Sequence, residues 1–385
     1  MTIAYLDNNA TTRVAPEVLE AMMPFLADRY GNPSSMHSFG GRIRKHVDAA
    51  RGEVAALIGA EPEEIIFTGC GTESDNAAIL SALAANPRRP HIVTTRVEHP
   101  AVLGLCKRLE KEKHQVTWLG VDAQGMLDLD EVRRALRDCT GVVSAMYANN
   151  ETGVVFPVEE IGAAVKAAGA YFHVDAIQAA GKIPLDMRRS TIDYLALSGH
   201  KLHAPKGVGA LYIRKGTKFT PFIVGGHQEM GRRGGTENVA SIVGLGAACA
   251  LAARHMDEEN GRVRRLRDRL EQALLDKAPD ARLNGHPERR LPNTANISFS
   301  YVEGEAILLR MNELGICASS GSACTSGSLE PSHVLRAMGI PYTAAHGSVR
   351  FSLSRYTTDE EVDLVIEKLP PIIRTLRELS PFGRG

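Results

Sequence analysis

Short apolar runs separated by helix-like stretches recur between residues 65 and 198, and no other feature restricts the fold so strongly. The runs are Ile65–Thr68, His91–Thr95, Val116–Leu119, Val142–Ala148, Tyr171–Asp175 and Tyr194–Ser198. They are too short for helices and rich in β-branched and aromatic residues. Helical patterns such as Ala101–Lys111 and Val158–Ala168 lie between them. Strand–helix alternation of this kind predicts an α/β fold with a mostly parallel sheet and helices on both faces. Upstream, Val47, Val54, Leu57 and Ile58 form an apolar stripe that Gly59 ends. Downstream, Val263, Leu266, Leu270 and Leu274 recur at helical spacing in the charged stretch Asp257–Lys277, which reads as a connecting helix. A strand near Asn296–Phe299, a helix near Gly304–Leu314, a strand near Val349–Ser352 and an amphipathic helix near Glu360–Leu379 then predict a smaller α+β unit.

The 385 residues carry 45 basic and 45 acidic side chains, a formal net charge of zero. That balance argues against nucleic acid or an anionic membrane as the main partner, because both select a basic excess. No stretch reaches the roughly 18 apolar residues of a membrane helix. The longest candidate, Ile242–Ala253, is shorter and dotted with Gly and Ala. The first residues, MTIAYLDNNATT, lack a basic n-region and an apolar h-region, so a cytoplasmic location is expected. The six cysteines show no CxxC pair and read as free thiols in a reducing compartment.

Three segments carry chemistry. In Ile65-Ile66-Phe67-Thr68-Gly69-Cys70-Gly71-Thr72 an apolar strand meets two glycines and a helix start, which suits either a phosphate cup or a tight turn. Thr72 and Asp75 there have the spacing of a capping box. The strand Tyr171–Asp175 ends in an acid, which fits a partner for a protonated ring nitrogen or a helix cap. The strand Tyr194–Ser198 runs into Gly199-His200-Lys201-Leu202-His203, where a lysine at a core strand end can lose its charge by desolvation and attack an aldehyde. A surface lysine, or metal binding by His200 and His203, are the alternatives. A phosphate cup, an acid for a ring nitrogen and a lysine for an aldehyde are together what pyridoxal 5′-phosphate requires.

At that point the chain resembles the NifS/IscS cysteine desulfurases of the class V aminotransferase family, most of all the NifS branch of nitrogen-fixing bacteria. The resemblance rests on YLDNNATT at the start, GNPSS at Gly31–Ser35, EHPAV at Glu98–Val102, NNETG at Asn149–Gly153 and HVDAIQAAGK at His173–Lys182. It continues through SGHKLHAPKG, GGHQEMGRRGGTEN at Gly225–Asn238, SSGSACTSGSLEPSHVLRAMG at Ser319–Gly339 and AAHGSVRFSLSRYT at Ala344–Thr357. It implies an aspartate-aminotransferase-like fold type I. The large pyridoxal-phosphate-binding domain would span residues 15–256, and the small domain would comprise 1–14 and 257–385. That small domain would carry a loop at 318–328 built only of Ala, Ser, Gly, Thr and Cys, which predicts mobility.

The resemblance also implies residue roles. Lys201 matches the lysine that holds the cofactor aldehyde. Asp175 matches the partner of the pyridine nitrogen, while Gln178 and Asn150 match residues on the ring substituents. Gly71, Thr72, Ser198 and His200 match the phosphate cup, and Thr236 matches a residue reaching the phosphate from a second subunit, which implies a homodimer. His99 matches a histidine stacked on the ring that also serves as acid or base. Arg350, with Asn150, matches the clamp on the substrate carboxylate. Cys324 matches the cysteine that becomes a persulfide, and through it a shared iron–sulfur ligand is conceivable. The implied reaction turns L-cysteine into L-alanine and leaves a Cys324 persulfide for an iron–sulfur scaffold or other acceptor, nitrogenase-related by the NifS likeness. Another class V enzyme (an aminotransferase or selenocysteine lyase) and a non-catalytic sulfur carrier are the alternatives. Cys70 stands where many relatives differ and reads as packing beside the cofactor.

Overall fold

The computed structural model describes residues 3–320 and 331–380. The alternating region forms β1 (Ile65–Thr68), β2 (His91–Thr95), β3 (Val116–Leu119), β4 (Thr140–Met146), β5 (Tyr171–Asp175) and β6 (Tyr194–Ser198), and a seventh strand, β7 (Gly209–Ile213), joins them. The sheet order is β1-β7-β6-β5-β4-β2-β3. Strands β3, β2, β4, β5 and β6 run parallel, while β7 is antiparallel to β6 and to β1. The pattern of apolar runs did not predict β7. The link after Lys201 contains no helix, and without a crossover a chain can return only antiparallel. Strands β4, β5 and β6 are buried almost throughout, which explains why they read as continuous apolar runs.

A second, antiparallel sheet comprises β8 (Ala281–Leu283), β9 (Thr294–Phe299), β10 (Ser319–Ser320) and β11 (Ser348–Ser352), in the order β10-β11-β9-β8. The N-terminal pair Ala4–Tyr5 lies parallel to Ile316–Cys317, and Ala4 and Leu6 share a core with Leu270, Phe299 and Val362. Val334, Leu335, Ile340 and Ala344 pack instead into the core of the large sheet. The expected connecting helix is broken into Met256–Glu258, a π-helical turn at Glu259–Val263 and a regular helix at Arg264–Lys277.

Among the described residues no single helix is long and apolar enough to cross a membrane. The apolar stretch Ile242–Ala253 lies in the helix Val239–Arg254, whose Ile242, Leu245, Ala248 and Leu251 are buried in the large core.

Candidate active site

The carboxyl ends of β4, β5 and β6 and the starts of two helices converge on one cavity of about 380 Å³. Ligands in open α/β sheets bind at this edge. Of the residues singled out from the sequence, Gly71, Thr72, His99, Asn150, Asp175, Gln178, Ser198, His200, Lys201 and Arg350 all line it, and Cys70 does too. Thr236 does not. It lines a separate cavity with Gly69, Arg233 and Asn238. Cys324 lies outside the described residues.

Lys201 follows β6 in a single 3-10 turn. Its Nζ donates to the backbone carbonyls of Asn9 and Ala10, each at 2.6 Å. Burial, seconded by the charges of Arg350 and Lys182, lowers its pKa to about 7. An amine in that range is substantially uncharged, and therefore nucleophilic, at neutral pH. Asp175 ends β5. Its Oδ1 accepts the Ile177 N–H at 2.9 Å, and no helix follows, so it closes an Asx turn rather than capping a helix. Burial, with Asp75 adding to it, holds the Asp175 carboxyl up at about 8. A cation beside it would reverse that and keep the carboxylate charged. Gln178 donates Nε2 to the Asn9 carbonyl at 2.9 Å, while its buried Oε1 has no partner among the described residues. Such an orphan acceptor in a pocket wall is suited to a donor on a ligand.

The phosphate-cup segment differs from expectation in one respect. The Thr72–Asp75 capping box does not form. The helix Gly71–Ala85 starts after Cys70 with no side-chain cap. Asp75 is instead wholly buried, with His173 Nε2 3.3 Å from its Oδ1. The open first turn leaves backbone N–H groups for an anion. A Cβ at Gly71 would come within 2.1 Å of Ile177 Cδ1, so a larger residue there would have to displace the Ile177 side chain. His200 Nδ1 lies 3.2 Å from Thr11 Oγ1.

His99 caps the helix Pro100–Lys111, whose first residue is a proline that needs no N–H partner. Its Nδ1 accepts the Ala101 N–H at 3.2 Å. Burial and the Lys201 charge lower its pKa to about 4, so the ring is neutral and carries its proton on Nε2. Arg350 sits on β11 opposite Ser319. Its Nη2 meets Asp7 Oδ1 at 2.8 Å, its Nη1 donates to the Asn150 carbonyl at 3.0 Å, and its buried Nε has no partner among the described residues. Both terminal nitrogens are thus held in place, and the Nε–H is left as a donor without a partner among the described residues.

Some neighbours escaped the sequence reading. Glu98 is fully buried and pushed up to about 8 by burial, although Thr95 Oγ1 and the Met146 N–H both donate to its Oε1. Among the described residues no group of three or more His, Cys, Asp or Glu side chains is arranged to hold a metal, and His203 turns Nδ1 to the Arg13 carbonyl.

Comparison with known proteins agrees with this geometry. The family profile described as Aminotransferase class-V matches residues 4–365. The chain belongs to the class-V aminotransferase family. A cysteine desulfurase of Trichormus azollae is 64% identical over 382 residues, covering 99% of this chain and 96% of that protein. The cysteine desulfurase NifS of Azotobacter vinelandii is 59% identical over 386 residues, covering 100% of this chain and 96% of its own length. A solved NifS-like protein superposes with a TM-score of 0.92 at 39% identity, over 97% of this chain and 100% of that one. SspA, solved in complex with cysteine, gives a TM-score of 0.81 at 34% identity, over 93% of this chain and 100% of that one. The α/β architecture of this family, a large mixed sheet beside a small α+β unit, is the one observed here.

Proposed function

We propose that this chain is a cysteine desulfurase, working with pyridoxal 5′-phosphate in the Lys201 pocket. The observation that carries the reading is that one cavity joins a partly uncharged lysine, a buried acid and an arginine whose Nε has no partner among the described residues. When bound, the cofactor supplies an electron sink for the negative charge that develops at the substrate carbons. The residues fit it. Gly71, Thr72, Ser198 and His200 would hold the phosphate, Asp175 the ring nitrogen, and Gln178 with Asn150 the ring substituents. Lys201 holds the aldehyde. His99, neutral with its Nδ1 accepting the Ala101 N–H, would present its Nε2 proton to the bound group.

Arg350 fixes the L-cysteine carboxylate, with Asn150 beside it. Lys201 Nζ, partly uncharged near neutral pH, would accept the α proton of the bound L-cysteine. The Cys324 thiolate takes the substrate sulfur. The carbon–sulfur bond breaks, a sulfur–sulfur bond forms, and the carbon keeps the electron pair and is protonated. Thiol plus L-cysteine thus yields persulfide plus L-alanine with no outside oxidant: sulfur is oxidised and carbon reduced. We assign the persulfide to an iron–sulfur scaffold of the nitrogen-fixation kind, with Cys324 as its donor and a shared cluster ligand. We also infer a cytoplasmic homodimer in which Thr236 serves the partner's phosphate. The placement of Thr236 in a separate cavity supports this, as do the exposed Leu19, Met23, Tyr30, Met36 and Phe39. The chain would divide into residues 15–256 and 1–14 with 257–385, the segment 333–345 packing on the large core.

Incubation with L-cysteine and a reductant should release alanine and sulfide in step. Transfer of the amine to a keto acid, with no sulfide, would overturn the reading in favour of an aminotransferase.

Two further results are expected. Arg350→Gln should raise KM for L-cysteine by roughly 30- to 150-fold, the cost of about 2–3 kcal/mol for a charge-assisted contact, with a smaller change in kcat. A steady-state comparison reads it. Second, capture of pyridoxal phosphate by cofactor-depleted protein requires the uncharged amine. With the Lys201 pKa near 7, its rate should rise by roughly tenfold from pH 6 to pH 8 and then level off. A stopped-flow pH profile that is flat across that window would contradict the assignment.

A further inference from the structure

We propose that Lys182 is a positioning residue for the Lys201 chemistry, a second buried ammonium that acts on Lys201 by its charge from behind the active site. The inference rests on the functional reading above. Lys182 is only 6% exposed, and its Nζ has no hydrogen-bond acceptor and no ion pair among the described residues. Gly181 brings it in. With φ +72°, and with a Cβ there falling 2.5 Å from Leu202 Cδ2, the turn presses against the residue that follows Lys201. Lys182 and Lys201 then share the wall of one small cavity, about 10 Å³, or one water molecule in size.

The other charged and titratable groups on that wall are His203, Glu259 and Arg355. Glu259 Oε2 and Arg355 Nη2 are likewise buried without partners among the described residues. Glu259 opens the π-helical turn, an irregularity that recurs at functional sites. Asn260, next in the turn, donates Nδ2 to the Lys182 carbonyl at 3.0 Å and so fixes the lysine backbone. A lysine buried only for stability should sit in direct contact with its counter-ion, because an unpaired buried charge costs several kcal/mol. Lys182 and Glu259 face one cavity without closing that contact.

On the pocket side, Lys201 is faced by Arg350, Asp7, Asp175, His99 and His200. Arg350 also disfavours charge on Lys201, but Asp7 already pairs with it and a substrate carboxylate would neutralise it further. Lys182 remains as a cation that the substrate does not touch. Burial holds its own pKa at about 8, against the pull of Glu259, so it is mostly charged at neutral pH.

The test is a pH titration of the visible band of the purified holoenzyme, which reads protonation at the Lys201 nitrogen without turnover. Lys182→Met and Lys182→Gln should each raise the midpoint by about one pH unit, the order expected for a unit charge acting across a protein cavity. Lys182→Arg, which keeps the charge, should stay within a few tenths of the wild-type midpoint. Neutral variants that titrate with wild type overturn the proposal, as does an arginine variant that shifts as far as they do. If Lys201→Ala still shows the wild-type visible band, the functional reading itself fails. If that reading stands and the Lys182 midpoints do not move, only this inference fails.

Discussion

Lys201→Ala should lose the visible band of bound cofactor and at least about a thousandfold in desulfuration, since it removes both the aldehyde anchor and the base at the α carbon. No neighbour can stand in for it. Arg350 is a guanidinium that stays charged, and Lys182 is shut behind the pocket. Lys201→Arg should therefore fail almost as completely, although it preserves charge and length. A sulfur carrier would keep its function in both variants. Absorbance spectra and alanine release, measured on the same preparations, separate the two outcomes.

Cys324→Ala should give the opposite combination. The cofactor band should be normal and respond to L-cysteine, while alanine and sulfide production falls by roughly a hundredfold or more, because no other thiolate is assigned to take the sulfur. Among the described residues Cys70 is the thiol that lines the same pocket, and it would compromise this prediction by substituting. Normal turnover in Cys324→Ala, abolished in Cys324→Ala/Cys70→Ala, would move the sulfur acceptor to Cys70. The described residues on either side of the Cys324 segment are tied to the site. Ser319 pairs with Arg350 across β10 and β11, Ser332 Oγ donates to Glu151, and His333 Nε2 lies 3.0 Å from the Glu98 carbonyl.

The parts of the fold that were legible in the sequence are those where burial alone sets the pattern. β2, β5 and β6 read as apolar runs because both faces of a central parallel strand are covered, β1 is as deeply buried at the antiparallel edge, and β3, at the other edge, is half-buried and reads by its β-branched and aromatic residues. β7 was not legible, since its position depends on a helix-free return that no local pattern encodes. The Thr72–Asp75 spacing was misleading for a similar reason. Capping is a local preference, and a fully buried environment beside His173 overrode it. In the site, Lys201 and Asp175 were legible as strand-end residues of unusual type. The carbonyls of Asn9 and Ala10 carry no side-chain signal, and Lys182 and Glu259 look like ordinary surface charges until the π-helical turn brings them to one cavity.

The most direct test of the account is chemical trapping. The holoenzyme is reduced with borohydride, digested, and its peptides are weighed to find the lysine that carries the pyridoxyl group. The account predicts that label on Lys201, with Lys182 and Lys206 unmodified. A label on any other lysine, or a protein that binds pyridoxal phosphate and yields no labelled peptide, would contradict it.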